Sequence, residues 1–189
     1  MLRWPSARQR VDMHARTLYI DESKAKWYIM AAAVVTAGEE GDLRRVLTNL
    51  RLNGQRRLHF AKESDRRRRL ILSMLTRTCC RVIVVRSTIG DDREARRECL
   101  DVLVQQAVAR GASRLVLEQD DSLVRSDRLT LGAALRATPG ASLGYEHRRP
   151  SGEPLLWIPD AVAWCVSRGG EWRRRASPLI DELHPRTSG

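Results

Sequence analysis

The stretch Lys26 to Thr36, KWYIMAAAVVT, constrains the fold more than any other part of the chain. It is far shorter than the roughly 20 apolar residues a bilayer span takes, and it is apolar at odd and even positions alike. A strand with that pattern is covered on both faces and belongs in the middle of a sheet. Thr17 to Asp21, TLYID, precedes it with the aromatic and β-branched residues of another strand. The short connection from Glu22 to Ala25 suits an antiparallel hairpin.

Downstream, the apolar period changes repeatedly between about 3.6 and two. A helix is predicted over Asp42 to Arg51, with Leu43, Val46, Leu47 and Leu50 on one stripe and Asn53-Gly54 as its stop. RRLHFAK (Arg56 to Lys62) reads as extended, Ser64 to Thr78 as a second helix, and RVIVVRSTI (Arg81 to Ile89) as a strand. A third helix opens at Asp91-Asp92 and runs to Arg110, with Gly111 as its C-terminal signal. RLVLEQDD gives a strand, Arg125 to Arg136 a helix ended by Pro139-Gly140, SLGYEHR a short strand, and Pro159 to Arg168 a last helix. Strands alternating with helices after an opening hairpin predict an α/β fold, a mixed sheet covered by helices. Residues 1–16 read as a basic, disordered arm, 17–170 as one domain, and 171–189 as a basic tail.

The 34 lysines and arginines against 23 acids leave a net charge of +11, which calls for an anionic partner, a nucleic acid or an acidic surface. Met1 to Arg16 lacks the apolar centre of a secretory leader, so a soluble cytoplasmic protein with no membrane partner is expected. Cys79, Cys80, Cys99 and Cys165 show no C-x-x-C spacing. Free thiols are the expectation, rather than a zinc site or a disulfide framework.

Set in this basic chain, the acids are clustered. Asp21 and Glu22 end the first predicted strand, and Glu118 with Asp120 and Asp121 end a later one. The carboxyl ends of parallel strands line the ligand crevice of an open α/β sheet. Asp160 follows Pro159 in the first turn of a helix. If that helix packs beside the first strand, three distant carboxylates converge and hold Mg2+ or Mn2+, which favour hard oxygen ligands. Two such ions about 4 Å apart would activate a water and stabilise the leaving oxygen of a phosphodiester. The plain structural readings are a turn residue for Asp21, a charge at a helix start for Asp160, and a solvated loop for Glu118 to Asp121.

Candidate nucleic-acid contacts are His59 and Lys62, then Arg66, Arg67 and Arg69, and Arg148 with Arg149 beside His147. Four consecutive helical positions from Arg66 to Arg69 sweep about 300°, so these arginines do not share one face. Arg93, Arg96 and Arg97 on one turn and Arg173 to Arg175 near the end extend the phosphate-tracking surface.

The order YIDES, then RLHFAKES before a helix, then LLWIPDAVAWCV near the end resembles the family numbered 3800 among the domains of unknown function, in the ribonuclease H-like superfamily. The likeness covers Thr17 to Arg168. It implies a ribonuclease H-like sheet and a metal-dependent nuclease with Asp21, Glu118 and Asp160 as catalytic residues. Its metal ligands would come from Asp21, Glu22, Glu118, Asp120 and Asp160. Pro159 stands where the family has a small residue, and Glu118 replaces a plain Asp, leaving Glu118 and Asp120 as alternatives for the middle ligand. The expected function is phosphodiester hydrolysis on nucleic acid. The alternatives are a non-catalytic nucleic-acid-binding module, a mobile-element or toxin-type partner that keeps the fold, and a metal-dependent enzyme acting on a small phosphate substrate.

Overall fold

The opening hairpin sets the direction of every other strand. In the computed structural model, which describes residues 14–25, 27–139 and 142–185, β1 (Arg16–Ser23) pairs antiparallel with β2 (Tyr28–Thr36), Asp21 facing Ala31. On one side β2 takes β3 (Arg81–Ser87) antiparallel, and β6 (Ile180–Pro185) joins β3 in parallel. On the other, β4 (Ala112–Glu118) runs parallel to β1, and β5 (Gly144–Arg148) parallel to β4. The order β5-β4-β1-β2-β3-β6 puts the hairpin at the centre, as the two-sided apolar pattern of β2 requires.

Six helices cover the sheet: α1 (Glu40–Leu50), α2 (Asp65–Leu75), α3 (Asp92–Ala109), α4 (Val124–Ala137), α5 (Trp157–Arg168) and α6 (Gly170–Ala176). Side chains alternate along a strand, so β2 feeds two cores. Ile29, Ala31, Ala33 and Val35 join the core beneath α1, α2 and α5, while Tyr28, Met30 and Ala32 join the one beneath α3 and α4. Helix α5 buries Trp157, Ile158, Ala161, Val162, Ala163 and Cys165. It is apolar on nearly every side because it lies between the sheet and the other helices of its layer. Asp91 caps α3, its Oδ1 accepting from the N–H groups of Arg93 and Glu94 at 3.0 and 2.9 Å. Gly111, at φ 63°, closes the same helix. Cys80, Cys99 and Cys165 are buried free thiols pushed up to about 12 by burial, and Cys79 is free and exposed.

Three expectations need correction. Residues 60–62 make a single 3-10 turn rather than an extended piece, because the Arg68 guanidinium draws in the carbonyls of Phe60 (3.1 Å) and Ala61 (2.6 Å). The chain beyond residue 170, read as a tail, carries α6 and the edge strand β6. GEWRRRA is short and crowded with arginine and does not announce a helix, since it is fixed by packing against α5 and α2 rather than by periodicity. Of the basic arm, residues 1–13 lie outside the described residues, as do Lys26 and Gly140, while Arg16 already belongs to β1. Among the described residues no helix is long and apolar enough to cross a membrane.

The third correction is Arg96, which does not share the exposed surface of Arg93 and Arg97. It is buried against the sheet, with Nε and Nη2 donating to the two Asp127 carboxylate oxygens at 2.6 and 2.9 Å. Tyr28 Oη accepts from Nη1 at 3.2 Å, and Glu22 pairs with the same nitrogen. His147 Nε2 lies 2.9 Å from Asp127 Oδ2. Burial works against ionisation of Asp127, yet the Arg96 and His147 bonds hold its carboxyl below the ordinary value. Asp127→Ala would take two charge-assisted bonds from a buried guanidinium and leave it Glu22 and Tyr28, so urea denaturation is expected to show a loss of up to about 3–5 kcal/mol. The double variant Arg96→Met/Asp127→Leu removes both charges and should recover most of that loss; a double variant no better than Asp127→Ala contradicts this account.

A candidate acidic site at the carboxyl edge of the sheet

Strands β1 and β4 run parallel with Ile20 opposite Leu117, so the next residues, Asp21 and Glu118, leave the sheet side by side. Both follow the parity of Tyr19 and Val116, which lie in the core beneath α5. They therefore point to the α5 face. Asp160 sits in the first turn of α5 and completes the group from above. Asp21 is buried, and its carboxyl is raised well above the ordinary 3.8. Burial is the largest cause, followed by the charges of Glu118 and Asp160 and a hydrogen bond with Glu118, while Arg57 works in the opposite direction. Three acids from distant parts of the chain thus act on one another.

Each acid is also held by the protein. Asp21 Oδ1 accepts from the Glu22 N–H at 2.7 Å. Glu118 Oε1 accepts from Arg57 Nη1 at 2.9 Å. Asp160 Oδ2 accepts from the Phe60 N–H at 2.9 Å, with His59 Nδ1 at 3.6 Å. That histidine nitrogen is buried and has no hydrogen-bond partner. Among the described residues no three His, Cys, Asp or Glu side chains stand in a ready metal-holding arrangement. The reason is local, since Arg57 and the Phe60 amide turn two of the acids toward themselves.

Glu22 and Asp120 do not join this group. Glu22 takes the opposite parity on β1 and faces α3, where Lys24 Nζ (2.9 Å), Tyr28 Oη (3.0 Å) and Arg96 surround it. Asp120 is exposed, and its Oδ1 accepts from the Ser122 N–H at 2.9 Å and the Ser122 hydroxyl at 2.6 Å. Those two bonds hold its carboxyl below the ordinary range and make it a turn residue. Both nevertheless line a cavity of about 50 Å³ with Asp21, Glu118 and Arg96, and Asp160 is not part of its lining.

The basic candidates divide as well. Lys62 and Arg66 are exposed, whereas Arg67 is drawn inward to Glu63 at 2.9 Å and to the Leu50 carbonyl. Arg69 pairs with Glu171 at 3.1 Å, Arg148 with Glu146 at 2.9 Å, and Arg149 with Asp121 at 3.0 Å. Arg148 lies opposite Glu118 across β4 and β5, so it borders the acidic edge. Sequence reasoning missed Arg57. It stands in a loop between α1 and the 3-10 turn, and its place as the first residue of RLHFAKES was the one hint of it.

No family model matches the chain, and no curated protein matches it. Among solved structures it is similar to a chain of the PCNA:RNase HII complex from Archaeoglobus fulgidus, with a TM-score of 0.51 and 16% identity. The likeness covers 80% of this chain and 71% of that one. It shows the fold: the mixed sheet with its central hairpin and covering helices is ribonuclease H-like.

A raised carboxyl binds its proton more tightly in the folded than in the unfolded chain. Stability is therefore lost as pH rises from 3.8 through the higher folded value of Asp21. Asp21→Asn removes that penalty. In chelator at pH 7 the variant should melt above the wild type, by about 2–4 °C for each kcal/mol relieved. The gap should shrink as pH falls through 3.8 and close well below it, where Asp21 is protonated in both states, and a gap independent of pH would contradict the assignment.

Proposed function

We propose that the protein is a divalent-metal-dependent nuclease that hydrolyses phosphodiester bonds of nucleic acid, and that it belongs with the family numbered 3800 among the domains of unknown function. The observation that carries this reading is the meeting of Asp21, Glu118 and Asp160 on one face of the carboxyl edge, close enough to raise Asp21. The ribonuclease H-like fold supports it, as does the RNase HII in the structure the chain resembles.

The donor set fits a hard cation. Three carboxylates clustered in a partly desolvated recess repel one another, and Mg2+ or Mn2+ takes oxygen ligands while keeping several waters. Asp21, Glu118 and Asp160 would hold it, and Glu22 and Asp120 would stay with their own partners. When bound, the ion supplies Lewis-acid polarisation of a phosphoryl oxygen and a lowered pKa for water.

The chain's own residues do the rest. Burial of Asp21 keeps the acids out of bulk water and strengthens their pull on a cation. The Phe60 amide fixes Asp160 from one side and leaves its other oxygen free to coordinate. Arg57 neutralises Glu118 at rest. Were Glu118 to hold a cation, Arg57 would be the guanidinium placed nearest to receive a phosphate oxygen, for which its planar fork is suited. His59 offers a ring nitrogen beside Asp160, and Arg148 and Arg149 border the same edge.

A second reading, a non-catalytic nucleic-acid binder, is favoured by the way each acid is already satisfied by an internal donor. A cleavage panel separates the two. Labelled single-stranded, duplex, hybrid and branched substrates are incubated with Mg2+, Mn2+ or chelator. Asp21→Asn and Asp160→Asn should each lower cleavage at least 100-fold while leaving oligonucleotide affinity within about threefold. A readout independent of turnover is the melting temperature: millimolar Mg2+ or Mn2+ should raise it for the wild type and not for Asp21→Asn. Cleavage that survives chelator, or in Asp21→Asn, overturns the metal-site account, and binding without cleavage of any substrate overturns the nuclease reading in favour of the binder.

A further inference from the structure

Helices α2 and α6 lie side by side, and they present a charge pattern that the acidic site does not explain. Glu171 of α6 accepts from Arg69 of α2 at 3.1 Å and from Arg175 at 2.7 Å. Asp65 is taken by Arg68 at 2.7 Å. These are the acids of the two helices, and each is already paired with arginine. Lys62, Arg66, Arg173 and Arg174 are exposed beside them, and none forms an ion pair among the described residues. A folded surface that gathers four unopposed cations holds them against mutual repulsion, which a bound polyanion relieves.

The same face is tied to the acidic site. Arg68 bonds the Phe60 and Ala61 carbonyls, and the Phe60 N–H bonds Asp160. Trp164 stands one turn after Asp160 on α5, about 5.4 Å along the axis. Phe60 meets Trp164 edge-on at 5.3 Å, and Trp164 meets Trp172 of α6 at 5.6 Å. The guanidinium of Arg68 lies 4.5 Å from the centre of the Trp164 ring, and that of Arg69 lies 5.5 Å from the centre of the Trp172 ring. Through these contacts α2 and α6 adjoin the segment that holds Asp160.

We infer that the α2–α6 face, through Lys62, Arg66, Arg173 and Arg174, binds the phosphate backbone of the nucleic-acid strand flanking the position at the acidic site. The contact rests on the nuclease reading for its role, but it is a binding surface in its own right. It reads phosphates and not bases, so it is independent of sequence. Arg67, turned inward to Glu63, takes no part. Arg93 and Arg97 lie on α3, in the layer on the other face of the sheet, and take no part either.

The test uses fluorescein-labelled 24-mers of two unrelated sequences, single-stranded and duplex, with the full-length protein in chelator. The charge reversal Arg66→Glu/Arg173→Glu/Arg174→Glu is compared with Arg93→Glu/Arg97→Glu/Arg128→Glu, an equal change on exposed residues of α3 and α4. The first should weaken binding at least 10-fold at 0.1 M salt and flatten the slope of log K against log salt by about 2–3, for both sequences alike. The second should stay within about threefold with its slope unchanged. Circular dichroism and melting check that both remain folded, and the milder Arg66→Gln/Arg173→Gln/Arg174→Gln should give an intermediate slope. Equal losses in the two reversals, no loss in the first, or no binding by the wild type overturns the inference. Because the assay runs without turnover, binding through this face by a protein that never cleaves would sink the nuclease reading alone. Cleavage by a protein whose affinity ignores the first reversal would sink this inference alone.

Discussion

The parallel pairing of β1 with β4 is the constraint on which the acidic edge depends. Leu18 faces Leu115 and Ile20 faces Leu117, and all four are buried in the core beneath α3 and α4. A slip of one residue would turn every one of them to the wrong face. At roughly 1.5–3 kcal/mol for each fully buried aliphatic side chain, the burial of these four is worth about 6–12 kcal/mol relative to leaving them in water. Two like charges about 4 Å apart near a protein surface repel by about 4 kcal/mol. The apolar register wins, and it forces Asp21 and Glu118 to stand together whatever their charges prefer.

The period of two on β1 also separates two acids that are adjacent in sequence. Asp21 faces α5, among other carboxylates, with only Arg57 to oppose them, and its proton is held tightly. Glu22 faces α3, within reach of Lys24, Tyr28 and the buried Arg96. One neighbour is placed where charge is unrelieved and the other where it is satisfied. The Arg96–Asp127 pair, bound in turn by His147 of β5, joins β1, α3, α4 and β5 beneath the acidic edge. It holds the strand ends from below, so the carboxylates above them are fixed by a framework they do not contribute to.

Most of this architecture was legible in the chain. The two-sided apolar run of β2 placed the hairpin at the centre, and the alternation of periods located five helices and five strands to within a few residues. Asp91 and Gly111 marked the ends of α3 because capping is a local signal. What escaped was decided by tertiary contact. Helix α6 and strand β6 owe their form to α5, α2 and β3 rather than to their own pattern. Arg96 looks like its neighbours Arg93 and Arg97 in sequence, and partners distant in the chain, Asp127 31 residues away together with Tyr28 and Glu22, hold it inside. Glu118 and Asp120 could not be separated by spacing alone. The register of β4 against β1 and the Ser122 bonds separate them, and neither is written in the acidic run itself. Arg57 was silent for the same reason: its partner Glu118 is 61 residues away.

Arg57 also fixes how the acidic edge balances its charge. Three carboxylates stand there against one guanidinium, so the local sum is negative even with the Arg57 bond made. Two things can make up the difference, a proton or an added cation. The proton is the route visible in the protein alone, and it appears as the raised carboxyl of Asp21. An added dication would displace that proton, because a carboxylate ligand must be ionised to coordinate. On the proposed metal-site reading, protons and a divalent ion would compete for one site, and burial together with the neighbouring charges sets how firmly Asp21 holds its proton. On that reading, burial of Asp21 and the crowding of its neighbours, which look like defects of packing when the protein is considered alone, would make a cation at this edge worth more than one on an open surface.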